Sequence, residues 1–319
     1  MLVSLGEYLV DLFVKPSLDA VTDEITGLIG GSPLNIAIAA ARSGSTSGFM
    51  CPISSDSFGQ RALSILAEES VSQLIAPCVA APTAMAVIEL NAEGQPRYTF
   101  HRGRTADRAL SAAQLVEAIP SDCRFLQFGS LCLAQDADWA SWRAVVQEAR
   151  RRGATIGLDP NVRTGLIDDP NDHRARFSQA LGLCNILKLS DEDFELLAPD
   201  QSPAQTIPSW MQQHQIDLAI LTSGSKPTHA WLKSGLHLQM QPPQIGEIKD
   251  TVGAGDTFQG AAMSWLSDAA IHPSKLTEET LARLLQFAHA AAALNCQRSG
   301  CNPPTKAEII DFLKRYPSR

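Results

Sequence analysis

The sequence predicts an α/β protein with a doubly wound, mainly parallel sheet flanked by helices and a small β-sheet lid. Three observations lead to this fold class. Short strand-like runs alternate with longer amphipathic segments, the amphipathic segments carry helix end signals, and two hairpin-like segments interrupt the alternation. Strand–helix–strand repetition implies parallel strands joined by crossover helices on both faces of one sheet.

The alternation is visible in short apolar runs that have the length of buried strands. They are LVSL (2–5), RFLQF (124–128), TIGLD (155–159), NILKL (185–189) and DLAILT (217–222). The segment 137–153, ADWASWRAVVQEARRRG, ends in basic residues and a glycine, as a helix C-terminus does. No repeat of 20–50 residues is present, which excludes a solenoid. The length of 319 residues allows one large α/β domain or a main domain with a small appendage, and we predict a single domain, residues 1–319.

Two segments are predicted to be hairpins. One spans 84–102 with the polar turn NAEG, and the other spans 229–240 and turns at Ser234–Gly235. With the stretch 8–14, the first hairpin can form a small sheet apart from the core, so the lid is predicted from segments 8–14 and 84–104. Such a sheet either closes over a substrate cleft or decorates the surface, and the pattern does not separate the two.

Composition narrows the functional classes. The net charge of −8 and the pI of about 5.4 argue against a nucleic-acid partner, whereas a small anionic ligand needs only a local site. Seven cysteines without CxxC spacing argue against a disulfide framework and a zinc site, and they predict a reduced protein of the cytoplasm. The apolar start is interrupted by Glu7 and Asp11, so it predicts neither a signal peptide nor a membrane span.

The first chemistry-bearing stretch is GGSPLN, residues 30–35. Ser32 is predicted to cap a helix, with Pro33 at the first helical position, where its missing N–H costs nothing. Gly30 and Gly31 allow the backbone to approach a ligand closely, and Asn35 lies in the first turn. An ordinary tight strand-to-helix turn would have the same sequence, so both interpretations stay open for this motif alone.

The second stretch is DTVGAGDTF, residues 250–258. It lacks the Gly-Lys-Ser/Thr of a P-loop and the third glycine of the dinucleotide fingerprint, which excludes a dehydrogenase of that type. Its small residues can turn their N–H groups toward one point at a helix N-terminus, forming an anion hole for a transferring phosphoryl group. Asp256 can accept a proton from an attacking hydroxyl, or it can simply complement the helix dipole.

Together the two stretches resemble the ribokinase-like (PfkB) family of sugar kinases, whose members carry GG-x-x-x-N near the start and D-T-x-G-A-G-D near the end. The resemblance extends over nearly the whole chain and includes LGEYLVDLF near the start, LDPNVR (158–163), LKLSDED (187–193), LTSG (221–224) and NCQRSGCNPP (295–304). The opening GE-x-x-x-D, the DPN-x-R motif and the GCNPP tail are most similar to fructokinases.

The resemblance implies an ATP-dependent kinase of the cytoplasm that phosphorylates a primary hydroxyl of a sugar, D-fructose to fructose 6-phosphate. It implies Asp256 as the general base and the amides of Gly253, Ala254 and Gly255 as the anion hole. ATP and Mg²⁺ are the implied cofactors, K⁺ is a further one, and a homodimer through the lid sheets is the implied assembly. Kinases for ribose, 2-keto-3-deoxygluconate or a nucleoside are the alternatives within the class. A non-catalytic sugar sensor is the alternative outside it, which the intact Asp256 disfavours.

The remaining site residues also follow from the resemblance. The implied sugar contacts are Asp11, Gly30, Gly31, Asn35, Arg104, Asn161 and Arg163, and the implied nucleotide contacts are Ser190, Thr222, Gly224, His289 and Asn295. Arg104 can equally be a solvated arginine, Asn161 and Arg163 can simply stabilise a loop, and His289 can be packed in its helix. Relatives carry Asn-x-x-Glu where this chain has Ser190 and Asp193, so Asp193 is expected to hold Mg²⁺ through water. Backbone carbonyls of Asp250 and Val252 would hold the monovalent cation.

Overall fold

The computed structural model describes residues 1–16, 23–90 and 96–316. The strands, in chain order, are β1 (Leu2–Leu5), β2 (Leu9–Pro16), β3 (Asp23–Gly30), β4 (Ser47–Met50), β5 (Ser72–Gln73), β6 (Ala84–Leu90), β7 (Pro96–His101), β8 (Phe125–Gly129), β9 (Thr155–Asp159), β10 (Ile186–Ser190), β11 (Leu218–Ser223), β12 (Lys226–Leu232) and β13 (His237–Met240). The α-helices are α1 (Ser32–Arg42), α2 (Ser57–Glu68), α3 (Ala112–Glu117), α4 (Asp136–Arg151), α5 (Pro170–Leu181), α6 (Asp191–Leu197), α7 (Pro203–His214), α8 (Ala254–Ala269), α9 (Glu278–Cys296) and α10 (Lys306–Arg315).

The strands of the described residues form two sheets. The larger has nine strands in the order β13-β12-β11-β10-β9-β8-β1-β4-β5, and every neighbouring pair is parallel except those that involve β12 and β13. The smaller sheet has the order β3-β2-β6-β7. The predicted fold class, a doubly wound and mainly parallel sheet with a second small sheet, is therefore confirmed.

Helices cover both faces of the large sheet because its parallel strands are apolar on both sides. Val3 and Leu126 pack in one core with α3, α4, α5, α6 and α7. Their sequence neighbours Leu2 and Phe125 pack in a second core with α1, α8 and α9. Successive strand residues point to opposite faces, so continuous apolar runs are what a doubly covered sheet requires.

The strand and hairpin predictions agree closely with the structure. The predicted runs correspond to β1, β8, β9, β10 and β11, with shifts of one residue at most, and the segment 137–153 covers α4 except for its first residue, Asp136. The second hairpin is β12–β13, with Gly235 at φ 91° in its turn. The NAEG turn at 91–94 lies outside the described residues, whereas its flanking strands β6 and β7 pair antiparallel. Segments 8–14 and 84–104 share the small sheet through β2 and β6, and its role as a lid stays a prediction.

The structure corrects the predicted start of α1. Gly31, at φ 117°, is the cap residue, and Ser32 is already the first residue of the helix. The Ser32 hydroxyl makes no cap hydrogen bond. Its hydrogen bond goes instead to a residue 224 positions away, so the strongest capping signal of this segment has a different use.

Two predictions of absence concern cysteines and the membrane. All seven cysteines are unpaired thiols, as the spacing of the cysteines predicts. Among the described helices, none combines the length and the apolar character that crossing a membrane requires.

Candidate active site

The site is built around the first turn of α8. Gly253 precedes the helix at φ 72°, a left-handed conformation that favours glycine, and a Cβ there would lie 2.2 Å from Cys301 Sγ. The N–H of Ala254 donates to the Thr251 carbonyl at 3.2 Å, so this amide is taken by the protein, contrary to the prediction. Within the described residues, the N–H groups of Gly253, Gly255 and Asp256 donate to no protein acceptor. The helix therefore presents free amides at its positive end.

Asp256 lies in this first turn, 7% exposed, and three side chains from distant parts of the sequence hold its carboxylate. Ser32 Oγ donates to Oδ1 at 2.6 Å, and Asn35 Nδ2 donates to Oδ2 at 2.8 Å. Asn161 Nδ2 approaches Oδ1 at 3.4 Å. The carboxylate is thus fixed in orientation by neutral donors that leave its negative charge in place.

Small residues allow the two helices that carry these groups to approach closely. A Cβ at Gly260 of α8 would lie 2.7 Å from Ala39 Cβ and 2.8 Å from the Ile36 carbonyl of α1. Only a glycine fits at this contact, because a backbone oxygen cannot move aside. The contact brings the N-terminal turns of α1 and α8 together, and this is why Ser32 and Asn35 reach Asp256.

Asp11 lies beside the double-glycine turn, on β2 of the small sheet. A Cβ at Gly30 would lie 2.9 Å from Asp11 Oδ2, and Gly31 packs on the backbone of the turn before β2, where a Cβ would lie 2.8 Å from the Glu7 carbonyl. Burial raises the pKa of Asp11 to about 6, and the nearby Arg163 guanidinium lowers it in part. The structure therefore brings Asp11, Gly30, Gly31 and Arg163 into one neighbourhood, and their role as sugar contacts stays a prediction.

Asn161 and Asp193 follow the carboxyl ends of the adjacent strands β9 and β10. Asn161 adopts φ 37°, and the next amide, Val162 N, donates to Asp193 Oδ1 at 2.8 Å. Asp193 Oδ2 accepts from the N–H and the hydroxyl of Ser190 at 3.1 and 2.8 Å, in a capping box at the start of α6. Asp193 therefore anchors both loops to each other.

The implied nucleotide residues divide into two groups. Ser190 and Thr222 are register partners at the ends of β10 and β11, and Gly224 follows in a turn at φ 57°, so these lie at one edge of the sheet. His289 is 5% exposed, its Nε2 lies 2.8 Å from Thr228 Oγ1, and burial lowers its pKa to about 4. The structure thus places His289 in the core rather than at a surface that a nucleotide could contact.

The loop before α8 is tied to the C-terminal loop by the side chains of Asn295, an implied nucleotide contact, and of Asp250, whose backbone carbonyl was the implied cation ligand. Asn295 is fully buried, and it donates to the Val252 carbonyl at 2.9 Å and accepts from Asn302 N at 2.8 Å. Asp250 accepts from Val252 N at 3.0 Å and from Gly300 N at 2.8 Å. The Asn295 side-chain amide therefore occupies one acceptor position of the Val252 carbonyl. Both the amide and the side-chain oxygen of Asn295 are bonded within the protein.

Arg104 is not brought to Asp256. It is exposed and lines a cavity of about 440 Å³ with Gly103, Arg108, Ser141 and Trp142, at the N-terminal half of α4. None of the residues that line this cavity belongs to the Asp256 cluster. The geometry accordingly gives no support to Arg104 as a sugar contact.

Sequence reasoning missed a buried ion pair next to Asp256. Lys188 Nζ lies 2.8 Å from Asp159 Oδ2, and the two residues are 4% and 2% exposed. A Cβ at Gly255 would lie 3.1 Å from Lys188 Nζ, so the ammonium lies directly against the first turn of α8. Both residues stand in motifs that carry the family resemblance, LDPNVR and LKLSDED, but a lysine within an apolar strand gave no functional signal of its own.

The donors for a metal are few at this site. In the part of the chain that the structure describes, no group of three or more His, Cys, Asp or Glu side chains is arranged to hold an ion. A carboxylate offers about four acceptor positions, and Asp193 uses three of them for protein donors. The remaining position suits a metal-bound water better than direct coordination, and Mg²⁺ held by Asp193 through water stays a prediction.

Comparison with known proteins gives a consistent result along the whole chain. The model of the "pfkB family carbohydrate kinase" matches residues 1–308. A probable fructokinase-2 of Arabidopsis thaliana is 29% identical over 98% of this chain and 96% of its own length. A fructokinase of Xylella fastidiosa with bound ATP has the same fold, with a TM-score of 0.89, 23% identity and 99% of each chain covered. A fructokinase of Vibrio cholerae O395, solved in a fructose, ADP and calcium ion bound form, has a TM-score of 0.82 and 26% identity over 98% of each chain.

Proposed function

Since the chain belongs to the pfkB family of carbohydrate kinases, we propose that it transfers the γ-phosphoryl group of ATP to the primary hydroxyl of D-fructose, giving fructose 6-phosphate. One observation carries the proposal. The Asp256 carboxylate, held at 2.6 and 2.8 Å by Ser32 and Asn35, lies in the same helical turn as the free amides of Gly253 and Gly255. A proton acceptor and an anion hole thus stand side by side.

In the proposed reaction, Asp256 takes the proton of the sugar hydroxyl while the oxygen of that hydroxyl forms a bond to the γ-phosphorus. The bond from that phosphorus to the β,γ-bridging oxygen breaks, and ADP leaves. The N–H groups of Gly253, Gly255 and Asp256 donate to the phosphoryl oxygens, whose charge is spread over the transition state. Ser32, Asn35 and Asn161 hold the carboxylate still, so its remaining acceptor position faces the hydroxyl.

Mg²⁺ carried by the nucleotide would neutralise phosphate charge, and Asp193 is the residue proposed to accept a hydrogen bond from its water shell. The carboxyl end of β10 and β11, with Ser190, Thr222 and Gly224, is the proposed side for the nucleotide phosphates, because open parallel sheets bind ligands at this edge. A K⁺ requirement through the carbonyls of Asp250 and Val252 stays a prediction.

The small sheet is the proposed cover of the sugar, because Asp11 on β2 and Gly30 at the end of β3 belong to it. Phe13, Leu28 and Tyr98, all more than a third exposed, project from the face of this sheet that also carries Asp11. Apolar exposure of this kind supports a homodimer through the small sheets, which sedimentation equilibrium would test. The cytoplasm, where thiols stay reduced, is the proposed location.

The direct test is an ADP-release assay with MgATP and a panel of fructose, ribose, glucose, 2-keto-3-deoxygluconate and adenosine. We expect the highest kcat/KM with fructose. Asp256→Asn should lower kcat by at least about 100-fold, because the amide keeps the shape of the side chain and cannot accept the proton. Asp311→Asn on the exposed face of α10, where the carboxylate pairs with Arg315, is the matched control and should leave kcat unchanged.

The outcomes separate the competing functions. Preference for another member of the panel would keep the mechanism and replace fructose with ribose, 2-keto-3-deoxygluconate or a nucleoside. Binding of a sugar by calorimetry without any ADP release would identify a sugar sensor. An Asp256→Asn variant with full kcat would overturn the assignment of the base.

A further inference from the structure

A buried ammonium next to the anion hole has no part in the reaction proposed above. We propose that Lys188 is a positioning residue for phosphoryl transfer: held under the first turn of α8 by Asp159, it fixes that turn and adds a permanent positive charge beneath its free amides. The proposal rests on the kinase function and adds a residue to it that belongs to neither the base nor the glycine motif.

The pairing of β9 with β10 brings Asp159 and Lys188 together. These strands are parallel neighbours, so Asp159 at the end of β9 faces Lys188 near the end of β10, and their charged atoms meet at 2.8 Å. The ammonium continues toward α8, where a Cβ on Gly255 would lie 3.1 Å from Nζ. Glycine at 255 therefore has two functions, since it leaves an N–H free on one side and makes room for the ammonium on the other.

Lys188 is surrounded by three carboxylates, and its ammonium offsets part of their negative charge. The carboxylates that act on it are Asp159 on β9, Asp193 on α6 and Asp256 on α8. Burial lowers the pKa of Lys188, but these three carboxylates, Asp159 above all, raise it beyond its ordinary value, so the ammonium stays charged. Burial also raises the pKa of Asp159 to about 6, which still leaves it ionised at neutral pH.

Stability alone does not account for this pair. A buried ion pair is often replaceable by apolar residues at no loss of stability, because desolvation offsets the attraction. The pair is also incompletely satisfied, since Asp159 Oδ1 accepts no hydrogen bond from the described residues. A cation in this place has a clear electrostatic effect, however, because incoming phosphate would otherwise meet three carboxylates.

The test compares Lys188→Met, Lys188→Arg and the double variant Asp159→Asn/Lys188→Met, which replaces the ion pair by a neutral pair of similar volume. We expect kcat to fall at least about tenfold in Lys188→Met and in the double variant, with the KM for the sugar within about twofold of wild type. Lys188→Arg should recover part of kcat because it keeps the charge. Arg176→Met, which removes a buried cation bound to the Leu133 and Ala134 carbonyls, should lower thermal stability without this selective effect on kcat.

The double variant decides between charge and structure. If it folds with wild-type thermal stability and recovers wild-type kcat, Lys188 is only a packing group and the proposal is overturned. A low kcat in a stable double variant supports the proposal, as does partial recovery with arginine when the methionine variants fail to fold. Wild-type protein without turnover in the presence of every sugar of the panel would overturn the kinase function as well, so the two failures are distinguishable.

Discussion

The N-terminal turns of α1 and α8 meet at the candidate site, and they share two local features in opposite surroundings. Each helix follows a glycine with positive φ, 117° at Gly31 and 72° at Gly253, and neither has a side-chain cap. By contrast, α3, α6, α9 and α10 each carry a capping box. Both turns thus give up the usual way of satisfying their first N–H groups.

The surroundings of the two helix starts differ, and the difference gives the turns of α1 and α8 different roles. The α1 turn is closed, because the backbone of Glu7 and Tyr8 lies against Gly31, and it offers side-chain donors to Asp256. The α8 turn is open and keeps its backbone donors free, with Lys188 beneath it. One helix start therefore holds Asp256, the proposed base, and adjoins the proposed sugar side, while the other adjoins the proposed phosphate position. A similar motif in sequence has two uses, and tertiary packing decides which.

The largest effect is expected from closing the α1 turn further. In Gly31→Ala, the new Cβ would lie 2.8 Å from the Glu7 carbonyl in a backbone conformation that only glycine adopts readily. We expect the free energy of unfolding to fall by about 2–5 kcal/mol, the sum of left-handed strain and overpacking, together with a loss of activity. Urea denaturation followed by circular dichroism measures this.

Gly235→Ala is the matched control, since Gly235 has φ 91° and open space around its Cβ position. It should lose only the part of the stability that comes from backbone strain. Equal losses in the two variants would mean that the close approach of β2 to α1 contributes nothing, and the distinction between a closed and an open turn would then have no energetic basis.

A smaller effect is expected from removing the donors that α1 provides. Asn35→Ala and Ser32→Ala each delete one hydrogen bond to a carboxylate, an interaction worth roughly 1.5–3 kcal/mol. We expect kcat to fall about 10–100-fold in each, because the base loses its fixed orientation. Ser45→Ala removes a hydroxyl that bonds to Ser264 on α8 and should leave kcat unchanged. Loss of kcat in that control would show that α1–α8 packing, not the donors, governs the rate.

The sequence predicted those parts of the site that depend on local pattern. The glycine run before Asp256 predicted a helix start, and Gly253 does adopt a left-handed φ there, with the N–H groups of Gly253 and Gly255 free although that of Ala254 is not. The alternating runs predicted the sheet and both of its helical layers. These predictions succeeded because backbone freedom and apolar periodicity are properties of neighbouring residues.

The parts that failed depend on residues far apart in the chain. Ser32 is of a residue type that commonly caps helices, yet its hydroxyl donates to Asp256, 224 positions away, and does not cap α1. Lys188 lies in a strand whose pattern reads as buried, and only the pairing of β9 with β10 reveals Asp159 as its partner. His289 lies in the core, with its Nε2 2.8 Å from Thr228 Oγ1 on β12. No local signal distinguishes such side chains from ordinary ones.

The smallest expected effect separates the sugar side from the phosphate side by pH. Burial raises the pKa of Asp11 to about 6, so this carboxylate becomes protonated as the pH falls through 6 and loses an acceptor for sugar hydroxyls. The KM for fructose should rise about fourfold from pH 8 to pH 5.5, where roughly a quarter of a group with that pKa is ionised. The pH profile of the KM for MgATP should be the same in wild type and in Asp11→Asn, because Asp159, whose pKa burial also raises to about 6, is present in both. Asp11→Asn should show a high KM for fructose at every pH.

Acid unfolding caused by protonation of Asp11 cannot mimic the effect. A carboxyl whose pKa is raised in the folded protein stabilises the folded state as the pH falls from 6 toward the ordinary pKa of an aspartate. A different pH profile of the KM for MgATP in Asp11→Asn would mean that the two helix starts share this titrating group and that the division between α1 and α8 does not hold.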